Sequence, residues 1–321
     1  MSESFNNRVF GCAIVKAINS SYNADFTGQP RTLPDGRVYA TDKAFKYSIR
    51  NFIIKFYEGK EKVFYFKRLN DDFNPFDLLG AYKNAFGSDI GKNTTRQEIL
   101  INLFSCIDVR LFGATFAPKG DDQKGKNISI HGCVQITHAI DRYEQGRIYS
   151  EQITAPFADP KSKTDKDTKE VTKTDPNQTT IGNQSMLSEG HYVHHFTVNP
   201  KNIEDLIKKA KLTPLSISDI EILKETMKRG VTYYDSSKKA GVDNELLLWV
   251  QLKADSKIVL PSFVELVKVK DDDKRTIDLE AIKILLAQPH ISEGIESIEL
   301  YYDSTTTVVN APEKAIVKPL N

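Results

Sequence analysis

The chain has 321 residues, of which 40% are hydrophobic and 27% charged, with 44 Lys and Arg against 43 Asp and Glu. That is the composition of a globular protein with enough apolar mass to bury a core, and a formal charge of +1 excludes a uniformly basic coat for nucleic acid. It does not exclude a local basic stripe: residues 1–68 hold 12 basic and 6 acidic side chains, a net of +6, and the other 253 residues carry a net of −5.

Taken in chain order, Arg8 to Ile18 is an apolar, β-branched run and reads as a strand, followed by a long polar loop, Asn19 to Thr41. Thr41 or Asp42 can cap a helix from Lys43 to about Glu58, stopped by Gly59, and Lys62 to Leu69 alternates as a second strand. Helices are expected at Pro75 to Phe86 and at Thr95 to Ser105, the second opened by a capping box from Thr95 to Glu98. Strands follow at Ile107 to Phe116 and Ile128 to Thr137. Two more strand-like runs, Arg147 to Phe157 and Met186 to Val198, flank Ala158 to Thr180, where five lysines face five acids around a single aliphatic residue beyond alanine, Val171. Such a segment buries too little apolar surface to offset its ordering entropy, so a flexible tip is expected at 158–180, either as a linker or at the end of an extended hairpin. Beyond it the pattern gives helices at Ile203 to Lys211 and Ser218 to Arg229, the latter with a capping box from Ser218 to Glu221. Strands at Glu245 to Lys253 and Val264 to Val269, a helix at Leu279 to Gln288 and a strand at Ile295 to Tyr302 complete the chain. Strands and helices mix without strict alternation, which argues for an α+β fold, an antiparallel sheet with helices on one face.

No apolar run approaches the roughly 18 residues of a membrane span, and the first residues lack signal-peptide organisation, so the chain reads as cytoplasmic with no membrane partner. Cys12, Cys106 and Cys133 are odd in number, far apart and set among apolar residues, as buried reduced thiols are. Motifs for phosphate-binding loops, nucleophile elbows, zinc proteases and dinucleotide sites are missing. His194 and His195, adjacent on a strand, point to opposite faces and do not share one site. Asp271 to Asp273 reads as a solvated turn, so no metal and no cofactor is expected.

The first helix carries the strongest functional signal. At 100° per residue, Phe45, Ile49, Phe52 and Phe56 fall on one side, and Lys43, Lys46, Tyr47 and Arg50 on the other. A cationic helix face beside a donor-rich loop containing Arg31 and Arg37 suits a phosphate backbone, whose contacts position a nucleic acid without reading its sequence. The run Lys62 to Arg68 interleaves aromatic and basic residues as single-strand stacking platforms do, although aromatics on an alternating strand more often serve a core.

The order of motifs resembles the CRISPR-associated backbone subunits of Cascade, in particular CRISPR-associated protein seven of the type I-B and I-C systems. Tyr22-Asn23-Ala24-Asp25 is similar to that family's early loop, Pro30-Arg31 to its Pro-Arg pair, and Thr41-Asp42 through Lys46 to Arg50 to its first helix. Asp108-Val109-Arg110-Leu111-Phe112-Gly113 is similar to a family strand, Gly132 with Val134-Gln135 to its Gly-Pro-Val-Gln, and Thr180-Ile181-Gly182 to the segment after its long insertion. Ser216 to Asp219 with Gly230 to Gly241 is similar to the downstream helix and loop. Tyr47 replaces a usual basic residue and Cys133 a usual proline, so no contact is carried over at 47, and His194-His195 is assigned no role.

The resemblance implies one elaborated domain over 1–321, an RNA-recognition-motif-like (ferredoxin-like) palm with helical fingers and a thumb hairpin at 148–190. It implies RNA contacts by Asn23, Asp25, Arg31, Thr41, Lys43, Lys46, Arg50, Arg110, Phe112, Gly113 and Gln135, and thumb contacts by Ile153, Thr180 and Gly182. The partners implied are a CRISPR RNA, the target DNA strand paired to it, further copies of the chain in a filament and other Cascade subunits. The implied function is non-catalytic. The alternative from the same superfamily is an RNA endonuclease, using a histidine base or a loop acid such as Asp25 with a metal.

Overall fold

The computed structural model describes the backbone of residues 3–120, 123–158, 162–164, 171–173 and 178–321, and the side chains of these outside 154–181. Its first strand, β1 (Val9–Ser20), is apolar and buried from Val9 to Val15, where both its faces are covered. Val9, Ala13, Val15 and Ala17 enter one core cluster, and Phe10, Cys12 and Ile14 another. After the polar loop and a two-residue strand, β2 (Tyr39–Ala40), helix α1 (Asp42–Phe56) begins. Phe45, Ile49, Phe52 and Ile53 are buried on one of its faces, a contribution of roughly 6–12 kcal/mol before entropic costs. Phe56, expected on that face, is 55% exposed and packs on Phe52 and Tyr233 at the last turn.

The strand expected at Lys62 to Leu69 is absent. Only its ends bridge, Lys62 to Cys106 and Leu69 to Pro75, and the carboxylate of buried Asp108 accepts the Phe64 and Tyr65 amides that a neighbouring strand would otherwise pair. Helix α2 (Leu78–Phe86) starts at Asp77, whose side chain accepts the Gly80 amide, and α3 (Arg96–Phe104) has the expected reciprocal cap between Thr95 and Glu98. The strand expected at Ile107 to Phe116 is a helix followed by a strand, α4 (Ile107–Phe112) and β3 (Gly113–Phe116). Tertiary packing overrides local propensity there, burying Ile107, Asp108, Val109 and Leu111 on the helix, and Gly113, at φ 79°, ends it and turns the chain into the strand. The run Ile128 to Thr137 divides into β4 (Ile128–His131) and β5 (Val134–Ile136), and β6 (Ala139–Asp141) follows.

Next come β7 (Ile148–Ala158), the paired β8 (Ser162–Thr164) and β9 (Val171–Lys173), and β10 (Gln178–Val198). The flexible tip expected at 158–180 falls partly on residues outside those described; the described parts are extended. A 3-10 turn leads into α5 (Glu204–Ala210), and α6 (Ile217–Arg229) is capped by Ser216 with Asp219, two residues before the expected box. Strand β11 (Val242–Leu252) follows. Val264 to Val269 is a 3-10 turn leading to β12 (Lys268–Val269), not one strand. The chain then forms β13 (Ile277–Asp278), α7 (Glu280–Ala287), α8 (Pro289–Ser292), β14 (Ile295–Tyr302) and β15 (Ile316–Lys318).

The main sheet runs β15-β14-β11-β1-β10-β6-β2, with β5 and β7 also paired to β10. Its pairs are antiparallel except β14 with β15. Strands β10 and β11, joined through α6, flank β1, while β1 and β6, joined through α1 to α4, flank β10. Two β-α-β units therefore interleave. Helices α1 and α6 share a core with one face of β1, while α7 and the 3-10 turn at Val264 share the other core, so helices cover both faces and not the expected one. Strand β10 pairs β1 from Val198 to Leu187 and then continues against β7 as a two-stranded arm. No helix among the described residues is long and apolar enough to cross a membrane.

Candidate nucleic-acid interface

The polar loop and the start of α1 are tied together by one side chain. The Oδ1 of Asn23 accepts hydrogen bonds from both the amide and the hydroxyl of Thr41, each at 3.0 Å. Thr41 therefore spends its hydroxyl on the loop and gives the helix no side-chain cap. Within the loop, Asp25 Oδ1 accepts the Thr27 hydroxyl and the Thr27 and Gln29 amides, and these bonds, the Thr27 hydroxyl first, hold its carboxyl below the ordinary range. The Nε of Arg31 donates to the Ala24 carbonyl, leaving the guanidinium tip at the half-buried mouth of the loop. From behind, Lys238 donates to the Gly28 carbonyl and Lys239 to that of Tyr22, so the segment after α6 supports the same loop.

Lys43, Lys46 and Arg50 share one face of α1, the side chains of Lys46 and Arg50 being 13% and 14% exposed. Lys43 is exposed. Lys46 pairs with Asp42 one turn earlier at 2.9 Å; burial pushes the Asp42 carboxyl up, but the Lys46 bond and charge outweigh it and hold it low. Arg50 donates its Nε to Asp108 at 2.9 Å, and its two terminal nitrogens make no hydrogen bond among the described residues. Both cations lie over the ring of Phe112, Lys46 Nζ at 5.4 Å and the Arg50 guanidinium carbon at 5.2 Å from its centre. The result is a row of positive groups in which Lys46 and Arg50 are held by Asp42, Asp108 and Phe112 while donors remain open. His138, which sequence reasoning did not select, sits at the helix start with Nδ1 3.3 Å from the Asp42 amide and its ring stacked on Tyr39.

Other residues implied by resemblance have different surroundings. All five guanidinium N–H groups of Arg110 are engaged: with Asp219, Glu61, and the Phe104 and Ser105 carbonyls. Arg110 thus binds α4 to α6 from below and has no donor left for a ligand. Gly113 and Gly132 allow the backbone of β3 to meet that of β4: a Cβ on Gly113 would lie 2.1 Å from the Ile130 oxygen, and one on Gly132 would lie 2.2 Å from the Gly113 nitrogen. Gln135 is exposed on β5 and donates to the Gly132 carbonyl. On the arm, Ile153 is 38% exposed and paired with exposed Gly182, while Thr180 pairs with Thr154 through the backbone.

The adjacent histidines and the three cysteines belong to the core. His194 lies on the α1 side, stacked 4.9 Å from Phe45 and bonded to Tyr22 and the Thr137 carbonyl; His195 faces Phe263 on the other side. Burial pulls both imidazoles down to about 4. Burial also pushes the thiols of Cys12, Cys106 and Cys133 up to about 12, as expected of reduced core cysteines. Among the described residues no group of three or more His, Cys, Asp or Glu side chains is arranged to hold a metal ion.

The family model described as CRISPR-associated protein Cas7 matches residues 7–287. The chain belongs to that family. A search of curated proteins finds no match. Among solved structures, the chain is similar to one in a CRISPR RNA-guided surveillance complex in a pre-nicking state, at 13% identity, a TM-score of 0.54, and 97% of this chain and 96% of that one covered. A chain of another CRISPR RNA-guided surveillance complex is similar at 14% identity and a TM-score of 0.48, with 96% and 94% covered. At 13% identity the match with a TM-score of 0.54 shows a shared fold.

Proposed function

We propose that this Cas7 protein is a non-catalytic backbone subunit of a type I Cascade, of the I-B subtype, which grips the ribose-phosphate backbone of a CRISPR RNA and presents it for pairing with target DNA. The observation that carries this is the row on α1, exposed Lys43 followed by Lys46 and Arg50, the latter two held over Phe112 with donors still open, beside the loop from Asn23 to Arg31. Cations placed at fixed spacing suit consecutive phosphates, and base pairing by the guide, not the protein, then supplies sequence recognition.

In this reading the interleaved β-α-β units are the palm of an RNA-recognition-motif-like domain spanning 1–321, and the β7/β10 arm within 148–190 is a thumb. Ile153, Thr180 and Gly182 would meet the guide or the next copy along it. Arg110 and Gly113 shape the palm without touching RNA, whereas Asn23, Asp25, Thr41 and Gln135 order or border the contact surface. Other Cascade subunits would cap the filament.

Native mass spectrometry of the protein mixed with CRISPR RNAs of increasing length tests the proposal. The number of copies per RNA is expected to rise with length and the RNA to stay intact with or without magnesium. Cleavage abolished by a single Asp25 or His138 substitution would instead show the endonuclease of the alternative reading.

A further inference from the structure

Beside the cationic row lies a group of aromatic rings that phosphate contact does not use. Tyr47 projects from α1 between Lys43, one turn before it, and Arg50, three residues after it, and is 36% exposed. Its ring stacks on Phe66 at 4.9 Å and 23°, and meets Tyr234, from the segment after α6, at 5.1 Å and 58°. Phe66 belongs to the run whose aromatics could have been core or platform. The structure divides that run: Val63 and Phe64 are buried, while Phe66 is half-exposed against Tyr47.

The cluster is braced from within. Lys239 lies over both Tyr22 and Tyr234, at 5.4 and 5.5 Å, while donating to the Tyr22 carbonyl. Three rings from distant parts of the chain are therefore locked with part of their surface open, so little further order is lost on contact. We infer that Tyr47, Phe66 and Tyr234 form a stacking site for an unpaired nucleobase of the RNA whose phosphates lie along Lys43 and Arg50. A base is favoured over a protein side chain because the flanking cations complement the phosphate that every base carries with it. This inference rests on the RNA-binding reading above and adds a contact that is sensitive to bases and insensitive to salt.

The test compares the wild type with Tyr47→Ala, Tyr47→Phe and Tyr47→Leu for binding to a single-stranded RNA and to the same RNA made abasic at alternate positions. Stacking is worth about tenfold in affinity per base, so Tyr47→Ala and Tyr47→Leu should each weaken binding of the intact RNA about tenfold, and Tyr47→Phe should stay within about twofold of wild type. The slope of affinity against salt should not change, and the abasic RNA should bind all four proteins alike. The inference is overturned if Tyr47→Ala binds intact RNA as the wild type does, if Tyr47→Leu restores binding, or if the loss appears only in self-association, which would make the cluster a subunit contact. Absence of RNA binding by the wild type would overturn this inference together with the reading beneath it, whereas unchanged binding by Tyr47→Ala overturns this inference alone.

Discussion

Arg50 and Arg110 carry the same charge, and both fall in motifs that suggest an RNA contact, yet they stand in opposite kinds of surroundings. Arg110 is enclosed between α4 and α6 with every N–H engaged by Glu61, Asp219 and two carbonyls. Arg50 gives one N–H to Asp108 and keeps its outer nitrogens open beside Lys46 and Phe112. The first arrangement uses charge to join elements of the fold. The second uses a buried carboxylate to hold a cation ready for something outside it, and the open donors, not the charge, separate the two roles.

The buried network gives the largest predicted effect. Arg110→Ala leaves the Asp219 and Glu61 carboxylates without their cation and should cost about 3–5 kcal/mol of stability, read as a fall in the urea unfolding midpoint. The folded fraction should keep the wild-type salt dependence of RNA binding. A loss below about 1 kcal/mol would place Arg110 with the solvent-exposed pairs and erase the contrast with Arg50.

A somewhat smaller effect follows from His194, which is on the buried side of α1. Its folded pKa of about 4 lies below the ordinary 6.5, so between these values the unfolded chain binds a proton that the folded chain refuses. Stability should therefore rise with pH from 4 to 6.5 and gain nothing from this group above that. The contribution approaches about 3 kcal/mol across the window. Other buried groups titrate in the opposite sense, Asp141 among them with its carboxyl raised to about 6 by burial, so the relevant quantity is a difference. Wild type minus His194→Phe, followed by denaturant unfolding at each pH, should show the positive slope. Parallel pH curves would mean that His194 is not held neutral by the fold.

Much of this arrangement was legible in the sequence. The apolar and cationic faces of α1, the Thr95 cap, the central strand β1 and the opposed directions of His194 and His195 follow from local spacing, which the packing left in place. Three features did not follow. Lys62 to Leu69 lost its strand because Asp108, far along the chain, takes its amides. Ile107 to Phe112 formed a helix because packing buries Ile107, Val109 and Leu111 in that conformation, and Gly113 ends it. The support of the loop by Lys238 and Lys239, and of Tyr47 by Tyr234, joins positions that only the fold brings together. Arg110 shows a related limit: a motif shows which residue recurs in an order, not whether its donors already have partners in the fold.

The most direct measurement is the dependence of RNA affinity on salt for the wild type and for Lys43→Ala/Lys46→Ala, two changes on the outer face of α1 that leave the Arg50 to Asp108 pair intact. If these lysines hold two phosphates, the slope of log affinity against log salt should become shallower by about 1.4, at roughly 0.7 per phosphate contact on a single strand. An unchanged slope, with the variant binding RNA as the wild type does, would contradict the assignment of this face to the RNA backbone.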